Sequence, residues 1–252
     1  MLNVSHNRAT YLKLGLRFQL LTQLRVLDLS HNPFTNASQD AFEMAETWDH
    51  QVPRSLDLSH CQLRAFHPNA LPAVPGLRNL SLAGNRLLSF QQVVDVLRQL
   101  ETSGLEVVDL SNMSVANPGL FSEVRLMALR ELDLSENLIA TVPAASFGNI
   151  RSLRKLDISG NLLTALDAGF EDLVNLVELN ISRCRSAPVL KFSRSSFSSF
   201  FLSVATESFP SFDVEIKFRA ASLQCPCLQD CHDAVCLVVV CRSHRKRLVR
   251  WY

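Results

Sequence analysis

Three groups of residues in this sequence could do chemistry. The first is the stretch Cys225 to Cys241, "CPCLQDCHDAVCLVVVC", which holds five of the chain's seven cysteines and His232. Zinc needs four deprotonated ligands in tetrahedral reach, and Cys225, Cys227, Cys231 and His232 could supply them. In an oxidising compartment Cys225, Cys227, Cys231, Cys236 and Cys241 are instead disulfide candidates. The apolar run Ala234 to Cys241 could begin a membrane anchor, but it falls well short of the ~20 residues that span a bilayer. The second group is acidic: Asp28, Asp57, Asp109, Asp133 and Asp157 each follow a branched apolar residue and precede another. The third is His6, His31 and His60, in equivalent phrases, where a ladder of imidazoles could act as an acid-sensitive switch.

What positions the second and third groups is a repeat. "LRVLDLSHN" (24–32) returns as "PRSLDLSHC" (53–61), "LRNLSLAGN" (77–85), "LEVVDLSNM" (105–113), "LRELDLSEN" (129–137), "LRKLDISGN" (153–161) and "LVELNISRC" (176–184), and "LNVSHN" (2–7) opens the chain. The first apolar residue of each L-x-L pair falls at 2, 27, 56, 80, 108, 132, 156 and 179. Alternation in L-x-L-S predicts a short strand with its leucines turned inward. Such a strand cannot bury its own apolar face, so neighbouring copies must stack into one continuous core. The asparagines at 7, 32, 85, 137 and 161 fall where each strand ends and the chain turns; Cys61 and Cys184 share that slot, and Met113 departs from it.

The pattern L-x-x-L-x-L-x-x-N/C-x-L resembles the leucine-rich repeat family over about residues 1–188. "NLIATVPAASFGNIRSL" (137–153) and "NLLTALDAGFEDLVNL" (161–176) resemble its 24-residue subtype, found in Toll-like and chaoptin-like extracellular proteins. The resemblance implies an α/β solenoid: a horseshoe of about eight repeats with a parallel concave sheet and an irregular C-terminal tail. It also implies that the slot asparagines bind the backbone of adjacent turns, that Met113 weakens this ladder locally, and that Phe42, Leu71, Phe147 and Phe170 point inward on the convex side. In the longer repeat around "SFQQVVDVLRQLETSG", Val93, Val94, Leu97 and Leu100 fit one face of a short helix.

The middle residue of each L-x-L faces the concave surface, as does the residue before the pair. A protein ligand, or another leucine-rich repeat chain, would therefore meet Asp57, Asn79, Asp109, Glu131, Asp133, Lys155, Asp157 and Glu178, with Arg25, Arg78, Arg130 and Arg154 beside them. The plainer reading is that Asp in L-D-L-S is a default solvated residue and that the histidines simply follow the phrase LSHN. Both readings stand at this point.

N-x-S/T sequons begin at Asn3, Asn36, Asn79, Asn112 and Asn180 and suggest a glycosylated, secreted or surface chain. The repeat supplies the serine for Asn3 and Asn180, so Asn36, in a turn insertion, is the natural glycan position. Near-balanced charge, 25 basic against 24 acidic residues, gives no reason to expect nucleic acid as partner. The sequence leads one to expect neither a signal peptide nor a membrane span in the chain. No cap precedes Leu2, so the sequence reads as a piece of a larger receptor. Phosphate loops, G-x-S-x-G and H-E-x-x-H are missing, so no enzyme, cofactor or metal is expected.

Residues 1–188 thus read as the solenoid and 189–252 as a Ser/Phe-rich, then Cys-rich tail. "FDVEIKF" (212–218) alternates as a strand should. The compressed cysteine spacing favours a disordered or non-native tail over a disulfide cap, and a cap over zinc. Together these features predict a non-catalytic binding scaffold for immune recognition or cell adhesion, with an intracellular repeat adaptor as the alternative.

Overall fold

The computed structural model describes residues 1–14, 21, 23–42, 53–73, 76–163, 165–166, 168–170, 172–184, 189–190, 213–219, 236–243 and 246–250. Its centre is a parallel sheet of eight short strands: β1 (Leu2–Asn3), β2 (Val26–Asp28), β3 (Ser55–Asp57), β4 (Asn79–Ser81), β5 (Val107–Asp109), β6 (Glu131–Asp133), β7 (Lys155–Asp157) and β8 (Glu178–Asn180). Each strand pairs with the next copy in the chain, so the molecule is a leucine-rich repeat solenoid. The register puts Leu27, Leu56, Leu80, Val108, Leu132, Leu156 and Leu179 in one row, all buried. A one-residue slip would turn that whole row to solvent, and this fixes the register.

Each strand ends in the same turn. The residue before the Asn/Cys slot has a left-handed backbone in every copy: His6, His31, His60, Gly84, Asn112, Glu136, Gly160 and Arg183. The slot asparagines then carry the hydrogen bonds that join one turn to the next. Asn137 Nδ2 donates to the carbonyls of Leu110, Leu134 and Ser135, and its Oδ1 accepts the amides of Met113 and Val115. Asn32, Asn85 and Asn161 repeat the pattern. The Cys61 thiol imitates it, donating to the carbonyls of Leu29 at 3.3 Å and Ser59 at 3.4 Å. Met113 fills its slot with a buried apolar side chain, and its turn is held through its own amide by Asn137 in the following copy.

The opposite side is packed by Phe42, Phe66, Leu71, Phe121, Phe147 and Phe170, all buried. Phe90, Phe121, Phe147 and Phe170 touch in series, with ring centroids 5.4, 6.1 and 6.3 Å apart. Gly169 is required here, since a Cβ would lie 2.2 Å from the Val142 carbonyl oxygen. The inserted helix is α1 (Phe90–Gln99), which buries Val93, Val94, Val96 and Leu97. Ser89 is its N-cap, the hydroxyl accepting the Gln92 amide and donating to Gln92 Oε1.

Beyond β8 the sheet continues antiparallel through β9 (Asp213–Arg219), β10 (Cys236–Ser243) and β11 (Lys246–Arg250). β9 coincides with the alternating segment read as a strand, and its Ile216 stands opposite Leu179 of β8. No described helix is long and apolar enough to cross a membrane.

Candidate functional site

The concave face is three parallel columns of side chains, one residue per copy. At the start of each strand run Arg25, Arg54, Arg78, Glu106, Arg130, Arg154 and Val177. From Arg54 onward each N–H in this column donates to the carbonyl of the copy before it, at 2.7–2.9 Å. Next come Val26, Ser55, Asn79, Val107, Glu131, Lys155 and Glu178, in register across β2 to β8. At the strand ends lie Asn3, Asp28, Asp57, Ser81, Asp109, Asp133, Asp157 and Asn180. The fold therefore gathers Asp57, Asn79, Asp109, Glu131, Asp133, Lys155, Asp157 and Glu178 on one surface. Arg54 also belongs to the arginine column. Pro53 replaces the leucine that marks this position elsewhere, and the neighbouring L-D-L-S was the signal that could have placed it.

The aspartates do local work. The Oδ1 of Asp28, Asp57, Asp109, Asp133 and Asp157 accepts the amide of the serine two residues on, at 2.8–3.0 Å, and so closes each turn. Their second oxygens are partly engaged across copies: Asn3 donates to Asp28, Ser81 to Asp109 and Asn180 to Asp157. Asp133 is half-buried between Asp109 and Asp157. Burial, more than its serine hydrogen bonds can offset, raises its pKa above the usual carboxylate value, and the charges of Asp157 and Asp109 add to the rise. Glu131 and Lys155 are exposed and hold no side-chain hydrogen bond or ion pair among the described residues. These two present unspent polar groups to solvent.

The histidines form a true stack. The His6 and His31 rings lie 4.1 Å apart at 10°, and His31 and His60 lie 4.6 Å apart at 13°. The column ends at Gly84, where a Cβ would sit 2.2 Å from His60 Nδ1. Stacked rings in successive copies do not converge on a point. Among the described residues no group of three or more His, Cys, Asp or Glu could hold a metal ion.

The five sequon asparagines differ in their surroundings. Asn36 and Asn79 are exposed, without side-chain hydrogen bonds among the described residues. In Asn3 and Asn180 the Nδ2 that would carry a glycan donates to an aspartate. Asn112 accepts from Arg86 and precedes the buried Met113. Of the disulfide candidates, Cys236 and Cys241 stand on β10 opposite Arg219 and Val214, while Cys225, Cys227, Cys231 and His232 lie outside the described residues. Cys61 and Cys184 are free thiols.

Comparison with known proteins agrees with this geometry. One family profile, described as "Leucine rich repeat", matches residues 127–185, and a second of the same description matches 23–44 and 53–73. Among solved structures, the chain is similar to human 5T4 (Wnt-activated inhibitory factor 1, trophoblast glycoprotein), at 26% identity and a TM-score of 0.56. That match covers 71% of this chain and 66% of the 5T4 chain, just under two thirds. No curated protein sequence matches significantly. With the repeat phrase, the stacked register, the asparagine ladder and the family profiles in agreement, the chain is a leucine-rich repeat protein.

Proposed function

We propose that the chain is a non-catalytic recognition or adhesion module of a secreted or cell-surface receptor, and that it binds a protein partner on its concave face. The observation that carries this reading is the register across β3 to β8. It holds Asn79, Glu131, Lys155 and Glu178 in one row and Asp57, Asp109, Asp133 and Asp157 in the next, with Asn79, Glu131 and Lys155 exposed. A rigid sheet presenting fixed polar groups costs little ordering on binding and suits protein recognition. The resemblance of the repeats to the 24-residue subtype of Toll-like and chaoptin-like proteins supports a surface location, as does similarity to a protein whose name marks it as a glycoprotein.

Location and binding are tested separately. Expressed behind a secretion leader in mammalian cells, the protein should show a glycosidase-sensitive mass shift on the Asn36 peptide; an unmodified Asn36 in secreted protein would count against the surface reading. Display on cells should enrich a protein partner whose capture is lost in Asp109→Asn/Asp133→Asn/Asp157→Asn. Asparagine keeps the acceptor that closes each turn and removes the charge; at Asp157 it also removes the acceptor for Asn180 Nδ2. Undiminished capture by this triple variant would remove the acidic columns from the site.

A further inference from the structure

Three members of the arginine column lack the structural duty that the aspartates carry. Arg25, Arg130 and Arg154 are exposed, and their guanidinium groups make no hydrogen bond or ion pair among the described residues. Yet Arg25, Arg54 and Arg78 follow one another through direct backbone hydrogen bonds of 2.9 and 2.8 Å, and Arg130 and Arg154 through one of 2.8 Å. Adjacent strands lie about 4.8 Å apart, so the column stacks like charges in register. Such stacking disfavours the folded state, and at Arg25, Arg130 and Arg154 no side-chain contact among the described residues offsets it. Glu106 interrupts the column and pairs with Arg78 at 3.4 Å, which leaves unpaired charge at Arg25 on one side and at Arg130 and Arg154 on the other.

The two signs are separated. Arg25 precedes Asp28 by three residues, as Arg130 precedes Asp133, so the basic and acidic columns run about 10 Å apart. That exceeds the roughly 8 Å over which salt screens exposed charges, and a partner meets them as two lanes. A uniform polyanion such as a sulfated polysaccharide would be drawn to one lane and repelled by the other, and by Glu131 and Glu178 between them. A folded protein can present both signs.

We propose that the arginine column Arg25–Arg54–Arg78–Arg130–Arg154 is the docking edge for an acidic segment of the partner protein, lying along the solenoid beside the acidic lane. This rests on the concave-face reading above and gives the partner its chemistry: an acidic ridge facing the arginines and basic residues facing the aspartates.

Two fluorescein-labelled peptides test it on the full chain, one alternating Glu and Ser, the other alternating Lys and Ser, followed by anisotropy at about 0.15 M ionic strength, where the two lanes are screened from each other. The acidic peptide should weaken at least about tenfold on Arg25→Glu/Arg130→Glu/Arg154→Glu and be unaffected by Asp109→Asn/Asp133→Asn/Asp157→Asn, and the lysine peptide should do the reverse. Because the three arginines are exposed, the melting temperature serves as the control for folding. Acidic-peptide binding that survives the arginine triple overturns the proposal. So does a heparin fragment that outcompetes the acidic peptide at the same edge, which would assign the arginines to a polysaccharide. A lysine peptide indifferent to the aspartate triple overturns the acidic lane alone and leaves the basic edge standing. If wild type binds neither peptide, both lanes fall.

Discussion

The amide N–H of Cys61 donates to Oδ1 of Asn85 at 3.1 Å, while the Cys61 thiol fills the slot an asparagine side chain holds one copy later. The thiol therefore belongs to the hydrogen-bond ladder that joins the turns. Burial pushes its pKa from 9.0 to about 11. A folded value above the unfolded one means that the thiol's contribution is complete below about pH 9 and is lost as pH rises through about 11. Native protein at pH 8 should resist iodoacetamide at Cys61 and react there only as urea unfolds it. Cys61→Ala, which removes the donor and leaves a small cavity, should cost about 1–3 kcal/mol in urea unfolding. Rapid labelling of the native protein would show that the slot is open.

Asn137 carries more of this ladder than any exposed polar residue can. Its loss leaves the amides of Met113 and Val115 buried without an acceptor, and the carbonyls of Leu110 and Leu134 lose a donor. Each orphaned buried group costs about 1–3 kcal/mol, so Asn137→Ala should destabilise by about 3 kcal/mol or more. Asn175 is exposed and makes one side-chain bond, to the Arg151 carbonyl; Asn175→Ala should cost less than about 1 kcal/mol. Paired urea titrations check the contrast, and equal losses would refute the ladder's role.

The contrast shows what a sequence of this kind makes legible. Leu27 and its equivalents, the Asn slot and the convex phenylalanines are periodic, and period is what stacking imposes. The helix at Phe90–Gln99 was readable because Val93, Val94, Leu97 and Leu100 share a face. The turn slot was less readable: His60, Gly84, Asn112, Glu136 and Arg183 have little in common as residue types. Their left-handed backbone is imposed by the ladder on either side rather than by local preference. The aspartates invited a ligand reading, but their bonds to Ser30, Ser59, Ser111, Ser135 and Ser159 arise only once the strand has turned. Arg54 escaped notice behind Pro53. Within the tail only Asp213–Arg219 alternates; the run at Val238–Val240 carries no period, and its strand is defined by pairing with β9.

Asp133 makes stability depend on pH in the direction opposite to a salt-bridged carboxylate. Burial, with Asp157 and Asp109 on either side, raises its pKa in the folded state, so ionising it opposes folding. Its contribution is present below the ordinary carboxylate range and is lost as pH rises through the folded value. Asp133→Asn keeps an acceptor for the Ser135 amide and removes the charge. The variant should therefore have a higher urea midpoint than wild type at pH 7 and the same midpoint at pH 3. A lower midpoint at pH 7 would mean that the carboxylate charge itself holds the turn.

Gly84 and His60 should be energetically coupled. Gly84 has φ +71°, which costs any other residue about 1 kcal/mol. An added Cβ would also lie 2.2 Å from His60 Nδ1 and 2.5 Å from its Cε1. The exposed His60 ring can escape only by rotating, and rotation breaks its stack on His31, 4.6 Å away. A stacked aromatic pair is worth about 0.5–1.5 kcal/mol, so Gly84→Ala should cost about 2 kcal/mol in wild type. In a His60→Ala background the clash and the stack are both gone, and only the backbone term of about 1 kcal/mol should remain. The double-mutant cycle then gives a coupling near 1 kcal/mol, measured by urea unfolding. The His31 ring protons should shift in NMR spectra of Gly84→Ala, because the neighbouring ring has moved. Additive costs with unshifted His31 signals would show that the stack is not held by the glycine beneath it.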